Sequence, residues 1–205
     1  MPRAFNDDEI GRIRASLLKS GRASFLERGL KGTTIDHLIR HAGIGKGSFY
    51  QFFKSKEDLF LELFTEEIPS MMVRLHQASF GATSDTREAL VLLMGAMIQE
   101  LETNQLARVV VNDPDQLERF LSTEEFRILR KRIAEANAPL VECIEQARIR
   151  GEVVDRDPRQ IAEILGLVKQ LPVNKDRTDP DLYRAMRELV PQVVADGLTY
   201  PASSR

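Results

Sequence analysis

The chain has 205 residues, 29 Lys+Arg against 31 Asp+Glu, 42% hydrophobic residues and one cysteine, Cys143. That is enough for one large or two small domains with a real core, and a lone cysteine excludes an intrachain disulfide framework and fits a reducing compartment. The longest uncharged apolar run, residues 89–98, is ten residues, about half of a membrane span, and the stretch MPRAFNDDEIGRIRAS holds no apolar signal core, so a cytoplasmic protein without a membrane partner is expected.

Glycine and proline punctuate the chain. Ile10, Ile13, Leu17, Leu18, Gly21 and Phe25 recur at helical spacing and predict an amphipathic helix over 8–28, closed by Gly29 as a C-cap. Thr33 opens a second helix, with Asp36 at capping-box spacing. Gly43 stops it near residue 41, and a third short helix covers 45–52. Ser55, again with an acid three residues on (Asp58), opens a fourth, which Pro69 should kink or end. The domain boundary is expected inside this fourth helix, near residue 60.

The remainder reads as helix throughout. Residues 85–103 are apolar on nearly all sides, so this helix should be internal. Two shorter helices are expected over 106–112 and 115–121, and a long one over 123–150, bent by Pro139 and ended by Gly151. Asp157-Pro158 and Asp179-Pro180 start the last two, to about 171 and 198, with proline at its favoured first helical position. No strand-like alternation of useful length occurs. The expected fold class is all-α: a three-helix head over 1–60 and an all-helical body over 61–205.

Charge is not shared evenly. Residues 1–60 hold 11 Lys+Arg against 7 Asp+Glu, a net of +4, and leave 18 against 24 for the rest. A basic head on an acidic body suits a polyanion partner for the head.

Two short helices joined by a glycine turn form the helix-turn-helix layout, in which the second helix enters the DNA major groove. Gly43 supplies the sharp turn. Gly45 and Gly47 each cost that short second helix about 1 kcal/mol against alanine, which a structural role alone does not explain. A backbone without Cβ can, however, come close to DNA. Beside these glycines, Lys46 suits guanine or a phosphate, Ser48 can donate or accept, Gln51 suits adenine, and the Tyr50 hydroxyl suits a phosphate. Lys56 sits in the first turn of the fourth helix, where the helix dipole disfavours a cation. A phosphate bound there would reverse that preference. Phe49 and Phe53, four residues apart, are expected to pack on Phe25 and Leu38. For Phe52 an outward orientation stays open.

Phe25, Gly29, Thr33, Ile35, Leu38, Ala42-Gly43-Ile44, Lys46-Gly47-Ser48-Phe49-Tyr50, Phe53 and Ser55-Lys56-Glu57 with Leu59 resemble the DNA-binding domain of the tetracycline-repressor (TetR) family of bacterial regulators, over about residues 9–60. The resemblance implies a DNA-binding head on a dimeric ligand-binding body. It implies phosphate contacts from Thr33, Thr34, Tyr50 and Lys56, and base contacts from Lys46, Gly47, Ser48 and Gln51. Three positions depart from the family pattern: Gly45 stands where Ser or Thr usually caps the recognition helix, Phe52 replaces a histidine, and Ile39 replaces an alanine.

Other features carry weaker chemistry. His37 and His41, four residues apart, lack a third metal ligand nearby, so a solvated or phosphate-facing pair is the better reading and no metal or cofactor is expected. Cys143 is read as buried packing. No nucleotide-cradling loop, nucleophile elbow or zinc-protease motif is present, so no enzyme is expected. Met71, Phe80, Met94, Met97, Phe120 and Phe126 are the soft and aromatic side chains that would line an effector pocket, as an alternative to plain core packing. Ile161, Ile164, Leu165 and Val168, then Leu182, Met186, Leu189, Val190 and Val193, form stripes that the resemblance assigns to a dimer interface, although the same stripes could close a monomer core.

The expected function is a homodimeric transcriptional regulator, a repressor released from a palindromic operator by an apolar small-molecule effector. The alternative is a helical small-molecule-binding or protein-interaction module that does not read DNA.

Overall fold

The structure is a computed structural model and describes residues 5–104, 106–108 and 123–199. The element order is α1 (Asp7–Gly32), α2 (Ile35–Ile39), α3 (Lys46–Phe49), α4 (Lys56–Ala78), α5 (Thr86–Thr103), α6 (Thr123–Ile149), α7 (Pro158–Gly166), single turns over Leu167–Lys169, Gln170–Val173 and Lys175–Arg177, and α8 (Pro180–Leu198). Among the described residues there is no strand, only an isolated antiparallel bridge between Val153 and Thr199. No helix of these residues is long and apolar enough to cross a membrane. Of the helix expected over 106–112, residues 106–108 are helical and the rest lies outside the described residues, as does the helix expected over 115–121.

The backbone contacts divide the chain into Met1–Glu67 with Gln105–Leu129, and Ile68–Asn104 with Arg130–Arg205. The division falls inside α4, seven residues beyond the expected position 60. Of the described residues, 106–108 and 123–129 group with the first unit.

In the first unit, Asn6 caps α1 by accepting from the Glu9 amide while the Glu9 carboxylate accepts from the Asn6 amide, a full capping box. Leu17, Phe25, Leu38, Phe49, Phe53, Leu59 and Phe60 fill the core. Phe25 meets Phe60 edge to face, with ring centroids 5.2 Å apart, a preferred aromatic geometry. Phe49 and Phe53 are buried together, 6.0 Å apart. Gly21 lets α1 and α4 approach: a Cβ there would stand 2.3 Å from Leu59 Cδ2.

In the second unit, α5 supplies Leu90, Leu93, Met94 and Ile98. They pack with Leu140, Ile144, Ala147, Ile161, Leu165, Val168, Ala195 and Leu198. Asp85, Asp157 and Asp179 cap α5, α7 and α8 through their side chains. At the end of α5, Glu102 accepts from the Tyr183 hydroxyl at 2.8 Å and pairs with Lys175 and Arg187.

Three expected helix ends move. Pro69 does not end α4, which continues to Ala78. Helix α7 ends at Gly166, and the chain to Val173 continues in one tighter 3₁₀ turn, Leu167–Lys169, and one α-helical turn, Gln170–Val173. The N-cap of α2 is Thr34, one residue past the expected Thr33.

Candidate nucleic-acid interface

The helix-turn-helix is built from two positive-φ glycines and a set of local caps. Gly29 (φ 67°) breaks the regular helix three residues before the end of α1 at Gly32, and Gly43 (φ 65°) turns the chain between α2 and α3; both need glycine for that reason. At the start of α2, the Thr34 hydroxyl accepts from the His37 amide, and His37 Nδ1 accepts from the Thr34 amide, both at 3.3 Å. Nδ1 can accept only in the neutral ring that carries its proton on Nε2, so His37 has a structural task. At the other end of α2, Ser16 and Ser20 of α1 donate to the carbonyls of His41 and His37, which a helix of this length leaves without helical partners.

Helix α3 begins at Gly45 without a side-chain cap, as expected from the missing Ser or Thr. Phe49 is the anchor of this helix, fully buried. Around it the outer surface is open. Tyr50 is 54% exposed, Gln51 and Gly47 are exposed, and Ser48 is half-buried. Lys46 and Tyr50 are four residues apart and share a side of the turn. Lys46 Nζ lies 3.5 Å from the exposed Asp36 carboxylate of α2, a weak pair that a stronger anion can displace.

Neither Gly45 (φ −77°) nor Gly47 needs glycine for its own backbone. A Cβ at either position would meet nothing within 4 Å. The interior of the chain therefore gives no reason for Gly47 to lack a side chain, and the cost expected at Gly45 is corrected: it stands at the N-cap of α3, where glycine is favoured over alanine.

Two of the expected contact residues turn inward. Thr33 is fully buried, and its hydroxyl donates to the Gly29 carbonyl at 2.8 Å; of the two threonines expected to face a phosphate, only Thr34 is exposed. Lys56 Nζ donates to the carbonyls of Leu30 at 2.7 Å and Thr33 at 2.8 Å, with the Glu57 carboxylate 3.9 Å away. At the same helix start, Ser55 Oγ accepts from the Asp58 amide, and Asp58 returns to the Lys54 amide. Phe52, where outward exposure was open, is half-buried against Phe5, with centroids 6.1 Å apart.

In the second unit, the expected pocket and interface residues scatter. Met94 is fully buried core, and Met71 and Met97 lie partly buried against that core. Phe80 lines a cavity of about 440 Å³ with His76, Thr83, Glu142, Cys143 and Arg150 among others. Phe120 and the Phe126 side chain lie outside the described residues. Cys143 is half-buried rather than buried, with Sγ 4.0 Å from His76 Nδ1. Burial, and then the neighbouring Glu142 charge, push its thiol pKa up. Sequence reading missed this pair because 67 residues separate its members.

Of the expected dimer stripe, Ile161, Leu165 and Val168 are buried in the chain's own core. Val190 is packed partly buried against it. That corrects their assignment as free interface residues. Leu182, Leu189 and Val193 are 55%, 61% and 58% exposed, and Ile164 and Leu167 are exposed beside them in sequence. Met186 is half-buried.

Residues 17–63 match the family model described as bacterial regulatory proteins, tetR family. The uncharacterised helix-turn-helix regulator YhgD of Bacillus subtilis is 40% identical over 62 residues, 30% of this chain and 32% of that one. The repressor KstR2 of Mycolicibacterium smegmatis is 29% identical over 133 residues, 65% of this chain and 63% of its own length. The chain thus aligns with about one to two thirds of the length of these relatives. Among solved structures, a TetR-family regulator from Pectobacterium atrosepticum superposes with a TM-score of 0.71 at 21% identity, covering 96% of this chain and 99% of that one. The ketosteroid regulator KstR2 of Mycobacterium tuberculosis superposes with a TM-score of 0.56 at 24% identity, over 92% and 95%.

Proposed function

We propose, from the match of residues 17–63 to the model of bacterial tetR-family regulatory proteins, that this chain is a cytoplasmic, homodimeric, sequence-specific DNA-binding regulator of that family. Residues 1–60 form its DNA-binding head and 61–205 its effector-binding and dimerising body. It acts as a repressor, released from a palindromic operator by an apolar small molecule.

One observation carries the reading. Gly45 and Gly47 are bare at positions where neither backbone angle nor packing asks for glycine. Alanine at Gly47 would stabilise a short helix by about 1 kcal/mol, whereas Gly45 is the N-cap, where glycine is favoured over alanine. A partner that approaches the backbone closely accounts for Gly47, and the exposed donors and acceptors beside it suit a DNA groove. Lys46, Ser48 and Gln51 are the base readers in this reading. Thr34 and Tyr50 hold the phosphates; the Thr34 hydroxyl accepts from the His37 amide and still has its proton to donate.

Dimerisation has separate support. Leu182, Met186, Leu189 and Val193 recur at steps of four, three and four along α8, the spacing of a helix that packs against another helix. Three of them are more than half exposed. A second copy supplies the two-fold symmetry that a palindrome requires. Ligand release then needs an effector that binds the non-DNA-binding conformation more tightly.

A gel-shift with the DNA flanking the gene for this chain tests the reading. A shift at low salt that weakens steeply as salt rises is expected. A confirmed dimer that gives no shift at low salt overturns it.

A further inference from the structure

Lys56 stands where the family resemblance implies a phosphate contact, yet its ammonium is already occupied. It makes charge-assisted bonds to the carbonyls of Leu30 and Thr33. Leu30 lies just past the Gly29 break near the end of α1, and Thr33 is the residue that follows that helix. Carbonyls there have no partner within the helix. Both residues are buried, Thr33 completely, so water does not replace a lost donor readily. An ammonium has three N–H groups. Two are committed, and the Glu57 carboxylate 3.9 Å away supplies the countercharge.

We infer that Lys56 is a positioning residue, one that holds the corner between α1 and α2 instead of neutralising a phosphate. The inference rests on the DNA-binding reading above and changes how this residue serves it. Lys56 fixes the Thr33 carbonyl, the next residue is the Thr34 cap, and the cap sets the start of α2. Through α2 and its Gly43 turn, the clip sets where α3 presents Lys46, Tyr50 and Gln51. The lysine at the first turn of α4 is then explained from inside the head: a cation unfavourable to its own helix's N-terminus is favourable to the C-terminal carbonyls of α1.

The two roles differ in one measurable quantity. A lysine that neutralises a phosphate contributes to the salt dependence of binding, about 0.9 in the log–log slope per phosphate. A lysine that acts through backbone carbonyls contributes nothing to that slope. Binding of the full chain to a duplex of the DNA flanking its gene is measured across a salt series for the unaltered chain, Lys56→Met and Lys56→Arg, with thermal denaturation of each. Lys56→Met is expected to melt earlier and to bind about tenfold more weakly while still folded, with an unchanged slope. Lys56→Arg can serve two carbonyls and should recover both properties.

If Lys56→Met does not fold, Lys56→Gln, which keeps N–H donors without the charge, takes its place and should fold with the slope of the unaltered chain. A slope reduced by about 0.9 per phosphate, or unchanged melting and affinity in Lys56→Met, overturns the inference. If the unaltered chain does not bind the duplex at all, the DNA-binding reading fails by itself. The earlier melting and its recovery by arginine then decide the clip.

Discussion

The head and the body are both helical, but they place their chemistry differently. In the head, the core is aromatic and small, and the candidate interface is a run of neighbours, Gly45 to Gln51, held by the buried Phe49. In the body, the core is aliphatic, and its candidate surfaces join residues far apart in sequence. Cys143 meets His76, and Glu102 meets Tyr183 and Lys175. A site made from consecutive residues depends on one turn of backbone. A site made across helices depends on how the whole core packs. The same kind of substitution should therefore have different consequences in the two regions.

The largest effect is expected from Phe25→Ala. It removes the ring that meets Phe60 in a core with few layers, and should lower stability by about 3–5 kcal/mol, seen as early unfolding in thermal denaturation. A loss below about 1 kcal/mol would mean that the aromatic core does not hold the head. In the body, Leu189→Asp leaves the fold of the protomer alone because Leu189 is exposed. It should weaken self-association by at least about tenfold, the loss of one buried leucine, measured by sedimentation. Unaltered association would remove α8 from the proposed interface.

Gly21→Ala comes next. Its Cβ collides with the buried Leu59, so overpacking should cost about 1–3 kcal/mol in a chemical-denaturation series. Gly47→Ala sharpens the contrast by acting in the opposite direction. Stability should rise by about 0.5–1 kcal/mol while DNA binding weakens. An alanine variant that binds as tightly as the unaltered chain breaks the argument from the bare Gly47.

The smallest effect is electrostatic. Burial pushes the Glu102 carboxyl pKa up. The Tyr183 hydrogen bond and the charges of Arg187 and Lys175 outweigh burial and hold it below the ordinary range. A lowered folded pKa gives stability that is complete above the unfolded carboxylate range and is lost as pH falls through the folded value. Glu102→Gln should therefore flatten the decline in melting temperature between about pH 5 and 3. An identical decline in both proteins would show that the network does not stabilise the body.

What could be read in advance follows the same division. The head's helices, the Gly29 and Gly43 turns and the bare recognition helix were legible, because caps, positive-φ glycines and helical spacing act within a few residues. Even there, Thr33 and Thr34 were exchanged: both can cap, and burial decided which one did. Lys56 was read from its own helix, and its bonds run to the end of another one, 23 to 26 residues earlier. In the body, the stripes were visible but not which side of each stripe faced inward. Ile161 and Ile164 are three residues apart and equally apolar, yet one is sealed and the other open.

By itself, the sequence determined the all-α class, the helix-turn-helix and the bare Gly47, since each depends on local geometry that the residues carry with them. Only the tertiary structure decided that Lys56 serves backbone carbonyls, that Thr33 is buried and that half of the apolar stripe belongs to the core. Those outcomes depend on what the other helices bring within bonding distance, and local spacing holds no record of it.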